Sequence, residues 1–133
     1  MRKNLETKLL YDFEDNDKKN KWLDSDQPMG VLRKFIHRIH KKHGKTKNPP
    51  VVVAGRGEPS RRGLLSYSKG ASKILFARHQ RTRRVAIHEY THIKGPINHG
   101  EYFVQEYVKL LVEYGRYNKK KLIKRLNDAG IFI

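Results

Sequence analysis

The sequence predicts an α+β fold with a small, mostly antiparallel sheet. Two observations carry that prediction. Short β-rich runs are bracketed by stretches with helical periodicity, and the elements run in the order strand, helix, strands, then helices. A third observation concerns function: the histidine-bearing stretch Val85–Tyr107 falls on the last group of helices.

Taken in order, Lys8–Glu14 (KLLYDFE) alternates well enough for a short strand, and the polar Glu14–Lys21 reads as a loop. Trp22 and Leu23 anchor that loop to the core; the rival reading exposes Trp22 at a binding surface. From about Pro28 to His43 the spacing is helical, with Val31, Leu32, Phe35, Ile36 and Ile39 on one face. Asp26 is the expected N-cap, Pro28 suits the first turn and Gly44 is the expected stop. The outer face carries Arg33, Lys34, Arg38, Lys41 and Lys42. His37, His40 and His43 sweep around this helix at intervals of three and cannot all meet one ion, so they read as surface. His43 also lies where the negative end of the helix dipole favours a cation.

Lys45–Pro50 is a basic linker into the β-rich Val51–Ala54, which Gly55-Arg56-Gly57 ends. Leu64–Tyr67 and Ile74–Ala77 form a predicted hairpin around Ser68–Ser72. Arg78–Arg84 is basic and leads into the motif helix, where cations oppose the dipole by about a few tenths of a kcal/mol each when exposed. That local cost suggests a use for the charge other than helix stability. Glu101–Tyr114 is amphipathic through Phe103, Tyr107, Leu110, Leu111 and Tyr114, and Gly115 ends it. A last helix, Lys119–Ala129, turns Leu122, Ile123 and Leu126 inward, with Asn118 as cap and Gly130 as stop. The apolar tail Ile131–Ile133 is expected to pack.

His88-Glu89-Tyr90-Thr91-His92 is an H-E-x-x-H. On a helix, residues four apart share a face, so His88 and His92 can offer two imidazoles to one metal ion. Glu89, beside them, is placed to act as general base on water. His99 follows a turn suited to Gly95 and Pro96, and would complete three nitrogens with one position open, the coordination of a catalytic zinc. The plainer alternative is a helix whose two histidines are simply exposed.

The 133 residues, 37% hydrophobic, suit one domain spanning residues 1–133. With no cysteine, a metal must be held by His or carboxylate. No signal peptide or membrane-spanning run is visible, so a soluble, cytoplasmic protein without a membrane partner is expected. The net charge is +17, and residues 31–99 hold seventeen basic side chains against two acidic ones, Glu58 and Glu89. Such a one-signed field draws polyanions, above all nucleic acid through its phosphates. Arg33, Lys34, Arg38, Arg56, Arg61, Arg62, Arg81, Arg83 and Arg84 are the candidate contacts. A basic surface that serves only solubility is the alternative. No zinc finger, RNA-recognition signature or basic zipper supports base-specific reading.

Pro50–Val53, Gly55-Arg56-Gly57, Ile74-Leu75-Phe76, the H-E-x-x-H and His99-Gly100-Glu101-Tyr102-Phe103 together resemble the small metallohydrolases of actinobacteria and their phages. More distantly, they resemble the SprT-like zincin metalloproteases. The resemblance implies a zincin fold, zinc on His88, His92 and His99, and Glu89 as base. It also implies a protein or peptide substrate lying along a sheet-edge strand, here Ile74–Ala77. The chain departs from these families at Tyr90 and Thr91, where they favour Leu and Ala, and at Tyr102, where they favour an acid. Glu101 and Glu106 are therefore the candidate carboxylates behind His99. Tyr90, Tyr102 and the Arg81–Arg84 group are the candidates for oxyanion stabilisation. The metzincin pattern is excluded by one residue too many before His99 and by the lack of a methionine after the motif.

Two functions are thus expected. One is a zinc-dependent hydrolase, most plausibly a metallopeptidase, working on or near nucleic acid. The other is a non-catalytic basic nucleic-acid-binding protein whose zinc site is structural or vestigial.

Overall fold

The computed structural model describes residues 8–10, 12–14, 20–44, 47–55, 67–69, 73–78, 80–94 and 101–131. Helical backbone at 8–10 and 12–14 replaces the expected N-terminal strand. Leu10 and Phe13, three apart, are both buried, while Lys8 and Asp12, four apart, pair at 3.0 Å outside. That is helical spacing, and it overrides the weak alternation of the sequence.

A short helix α1 (Lys21–Asp24) follows, capped by Asn20, whose side chain accepts from the Leu23 amide at 3.2 Å. Trp22 is tied inward by Nε1 donating to the Tyr114 carbonyl at 2.8 Å, and Leu23 is fully buried. Both therefore anchor, as the first of the two readings had it. Helix α2 (Met29–His43) buries Leu32, Phe35, Ile36 and Ile39. Pro28, not Asp26, holds its N-cap position and supplies no side-chain cap bond; Val31 points outward.

Strands β1 (Val51–Ala54), β2 (Tyr67–Lys69) and β3 (Lys73–Phe76) form one sheet in the order β1-β3-β2. β2 and β3 pair antiparallel with Tyr67 opposite Leu75, whereas β1 and β3 pair parallel with Val52 opposite Ile74. The sheet is therefore mixed rather than mostly antiparallel. β3 is its central strand, so the edge expected at Ile74–Ala77 belongs instead to β1 and β2. The hairpin sets only β2 against β3; β1 joins the other side of β3, and the chain between them is long enough for the crossover that a parallel pair needs.

Helix α3 (Arg83–Lys94) carries the H-E-x-x-H and lies against α1, α2, β2, β3 and the next helix. Helix α4 (Glu101–Tyr114) buries Phe103, Tyr107, Leu110, Leu111 and Tyr114, as its periodicity predicts. Helix α5 (Lys119–Asp128) is capped by Asn118, which accepts from the Lys121 amide at 3.1 Å. It stops at Gly130 (φ 88°), where the Ile131 amide reaches back to Leu126 at 2.8 Å and the Gly130 amide to Asn127 at 3.0 Å. This Schellman geometry satisfies the last carbonyls and folds Ile131 onto the core. The chain is thus a mixed helix-and-strand fold with α3 at its centre. Among the described residues, no helix is long and apolar enough to cross a membrane.

Candidate metal centre

Thr82 starts α3: its Oγ1 accepts from the Val85 amide at 3.2 Å and its carbonyl from the Ala86 amide at 3.1 Å. One side of the helix buries Ala86, Ile87 and Tyr90, and Thr91 turns its hydroxyl back onto the Ile87 carbonyl at 2.7 Å. Tyr90 meets His40 of α2, its hydroxyl 2.8 Å from Nδ1. His40 is thus a core residue rather than a surface one, since the core-facing stripe of α2 is wide enough to include it; His37 stays exposed. His43 is partly covered and lies 3.2 Å from Glu113.

The other side presents the two motif histidines together, with ring centroids 5.3 Å apart and planes inclined at 61°. Phe103 of α4 packs on both, at 5.0 Å from His88 and 4.6 Å from His92. Behind His88, Glu14 closes the site from the N-terminal helical segment. Nδ1 of His88 lies 2.8 Å from Glu14 Oε2, and the Tyr107 hydroxyl donates to the same oxygen at 2.6 Å. Burial alone would raise the Glu14 carboxyl. The facing His88, the hydrogen bonds from His88 and Tyr107, and nearby Arg84 outweigh that and hold it below the ordinary carboxylate value. Burial likewise keeps the Tyr107 phenol protonated, with Glu14 adding to the effect.

Glu89 is 8% exposed, and no hydrogen bond or ion pair reaches it among the described residues. Desolvation pushes its carboxyl up to about 7; His88 opposes the rise and the Glu14 charge adds to it. Desolvation of a carboxylate at this depth disfavours its charged form, and such a perturbed group in a cleft is a candidate for chemistry.

No family model, curated protein or solved structure matches this chain.

His99 lies outside the described residues, and among those residues no three His, Asp or Glu side chains form a group that could hold a metal. The histidines brought together are His88 and His92. Of the two carboxylates proposed to stand behind His99, Glu101 is exposed and accepts from Gln105, while Glu106 faces Lys94 at 3.5 Å and Lys109 at 3.7 Å. Glu14 is the carboxylate that sequence reasoning missed. A helical reading of Leu10, Phe13 and Glu14 would have found it, as the one acid on an apolar face. Of the oxyanion candidates, Tyr90 is spent on His40 and Tyr102 is exposed.

The arginine candidates divide. Arg84 is buried and leaves the nucleic-acid set: it forks onto Asp24 and donates to the Tyr117 hydroxyl at 2.7 Å. Burial alone would lower its pKa, but the Asp24 bond and facing Tyr107 and Tyr117 raise it. Arg83 donates to the Trp22 carbonyl at 3.0 Å and stacks 3.5 Å from the Trp22 ring, with Arg116 on the other face at 3.8 Å. Arg81 reaches the Gly55 carbonyl at 3.2 Å. The charge at the start of α3 is therefore committed largely to internal partners, which explains why a helix tolerates it there. Arg33, Lys34 and Arg38 remain exposed on α2; Arg56, Arg61 and Arg62 lie outside the described residues.

Proposed function

We propose that the protein is a zinc-dependent hydrolase of the zincin type, a metallopeptidase, with a basic surface suited to work on or near nucleic acid. The observation that carries the proposal is the pairing of His88 and His92, 5.3 Å apart, beside the buried carboxylate of Glu89. Two imidazoles at i and i+4 fit a zinc donor set, and His99 would be the third ligand. Zinc bound there supplies Lewis acidity towards a carbonyl and activates water for attack. Glu89, next to His88 on the same helix, is the residue that would take a proton from the attacking water and pass it to the leaving amine. Phe103 packs its ring against both imidazoles. β2, the edge strand among the described residues and lying against α3, is the candidate to receive an extended peptide by strand addition.

Metal analysis of the purified protein tests the reading, together with the Glu89→Gln variant. Stoichiometric zinc in both proteins, with peptide hydrolysis lost only in the variant, is expected. Undiminished hydrolysis in Glu89→Gln would remove Glu89 from the chemistry.

A second reading, a non-catalytic nucleic-acid-binding module with a structural or vestigial zinc site, is favoured by the exposed basic face of α2. Arg33, Lys34, His37, Arg38, Lys41 and Lys42 lie on it, and the helix contains no acid. In that case binding to duplex DNA or RNA falls steeply with salt and is the same in Glu89→Gln.

A further inference from the structure

We infer that Glu14 is a positioning residue for His88: it fixes the imidazole proton on Nδ1 and so puts the lone pair, the metal-binding site of a neutral imidazole, on Nε2. The inference rests on the metal reading of His88 given under the proposed function.

Glu14 Oε2 receives two hydrogen bonds, from His88 Nδ1 at 2.8 Å and from the Tyr107 hydroxyl at 2.6 Å. An ionised carboxylate can only accept, so the proton of that short contact belongs to Nδ1. In a neutral imidazole the lone pair must then sit on Nε2. The ring is also held in place. Phe103 lies 5.0 Å and Tyr107 5.6 Å from its centroid, so a flipped ring would keep the same crowded walls and lose its bond to Glu14. Glu14 is itself fixed from both sides. Leu10 and Phe13 seat its helical segment in the core, and Tyr107, fully buried on α4, holds the same oxygen that His88 uses.

A residue 74 positions before His88 thus completes the arrangement. Histidine ligands commonly donate their second nitrogen to a carboxylate in this way, and losing such a partner typically lowers metal affinity about 10–100-fold. The alternative is a buried polar pair that only stabilises the fold.

The experiment has two readouts. The first is the His88 tautomer in the metal-free protein, read by long-range 15N–1H correlation above the pH at which the ring is charged. Wild type is expected to carry Nδ1–H and Glu14→Ala to shift towards Nε2–H; a purely structural carboxylate would lower the thermal midpoint without changing the tautomer. The second is zinc affinity by chelator competition, expected to fall about 10–100-fold in Glu14→Ala and by a smaller factor in Tyr107→Phe, which keeps the ring and removes one donor. Tyr107→Phe also serves if Glu14→Ala does not fold. Wild-type His88 found as Nε2–H overturns the inference directly. If wild type binds zinc and a folded Glu14→Ala binds it within about twofold, the Glu14 inference fails alone. If wild type takes up no zinc, the hydrolase proposal fails and the claim for Glu14 goes with it.

Discussion

Gly44 sits so close to the imidazole of His40 that a Cβ at residue 44 would overlap the ring. The backbone there (φ −73°, ψ 145°) suits any residue, so the requirement for glycine is steric and not conformational. It matters because the same ring holds the Tyr90 hydroxyl of the motif helix at 2.8 Å. Gly44→Ala is expected to destabilise by about 1–3 kcal/mol in urea unfolding, by displacing His40 and orphaning a buried hydroxyl. In a His40→Ala background the ring is gone, and the same substitution should cost nearly nothing. An equal cost in both backgrounds would show that His40 is not the obstruction.

Arg84 and Asp24 form a two-pronged ion pair, Nε to Oδ1 at 2.7 Å and Nη2 to Oδ2 at 3.1 Å, with both side chains largely covered. Removing one partner leaves the other charge without compensation in a poorly solvated place. Asp24→Ala is therefore expected to cost about 3–5 kcal/mol. The loss should change little between low and high salt, because the pair is shielded from counterions. Equilibrium unfolding at two salt concentrations measures both statements, and a cost under about 0.5 kcal/mol would mark the pair as an exposed one.

The contrast between these residues and the sequence shows what periodicity can and cannot reveal. α4 was legible to the residue, because Phe103, Tyr107, Leu110, Leu111 and Tyr114 repeat at helical spacing and all are buried. The approach of His88 to His92 was legible too, because four residues on a helix fix it. Whether β1 runs parallel to β3 was not, since pairing direction depends on how distant segments return to one another. Nor was the fate of Arg84: a basic run looks alike whether it meets phosphate or, as here, an aspartate 60 residues away. Glu14 was missed for both reasons together, an ambiguous short apolar run and a partner far along the chain.

Glu89 gives the metal-free protein a definite pH signature. Its folded carboxyl is raised to about 7 from an ordinary value of 4.5. Between those values the folded state holds a proton that the unfolded chain has released, so stability falls as pH rises through the window and levels off above 7. The contribution is fully present below 4.5 and amounts to something on the order of 3–4 kcal/mol. Glu89→Gln lacks the titration. With chelator present, the variant should gain on wild type steadily from pH 5 to pH 7, roughly the window set by the two pKa values, and hold its advantage above that. Carboxylates that do not face Glu89 titrate alike in both proteins and cancel from the difference; Glu14 and His88, which do face it, add only through their coupling to it. A difference in unfolding free energy that stays flat with pH would mean that Glu89 is solvated in the folded protein.

The basic surface yields a prediction that separates residues the sequence had grouped together. Lys34, Arg38 and Lys41 follow one another at intervals of four and three along α2, all exposed, on a helix without an acid. Arg84 is equally cationic but turned onto Asp24. If phosphates are bound on α2, each exposed cation releases about one counterion, so each alanine substitution should reduce the slope of log affinity against log salt by about 0.9. The triple variant Lys34→Ala, Arg38→Ala, Lys41→Ala should therefore lose most of three units of slope, about equally on unrelated duplex sequences, because phosphate contacts carry no base information. Alanine suits an exposed helical position, so thermal midpoints should barely move. Arg84→Met should do the reverse, lowering the midpoint while leaving the slope unchanged. A triple variant with the wild-type slope would place the polyanion contact away from α2, and a slope lowered by Arg84→Met would mean that this side chain leaves Asp24 to meet phosphate.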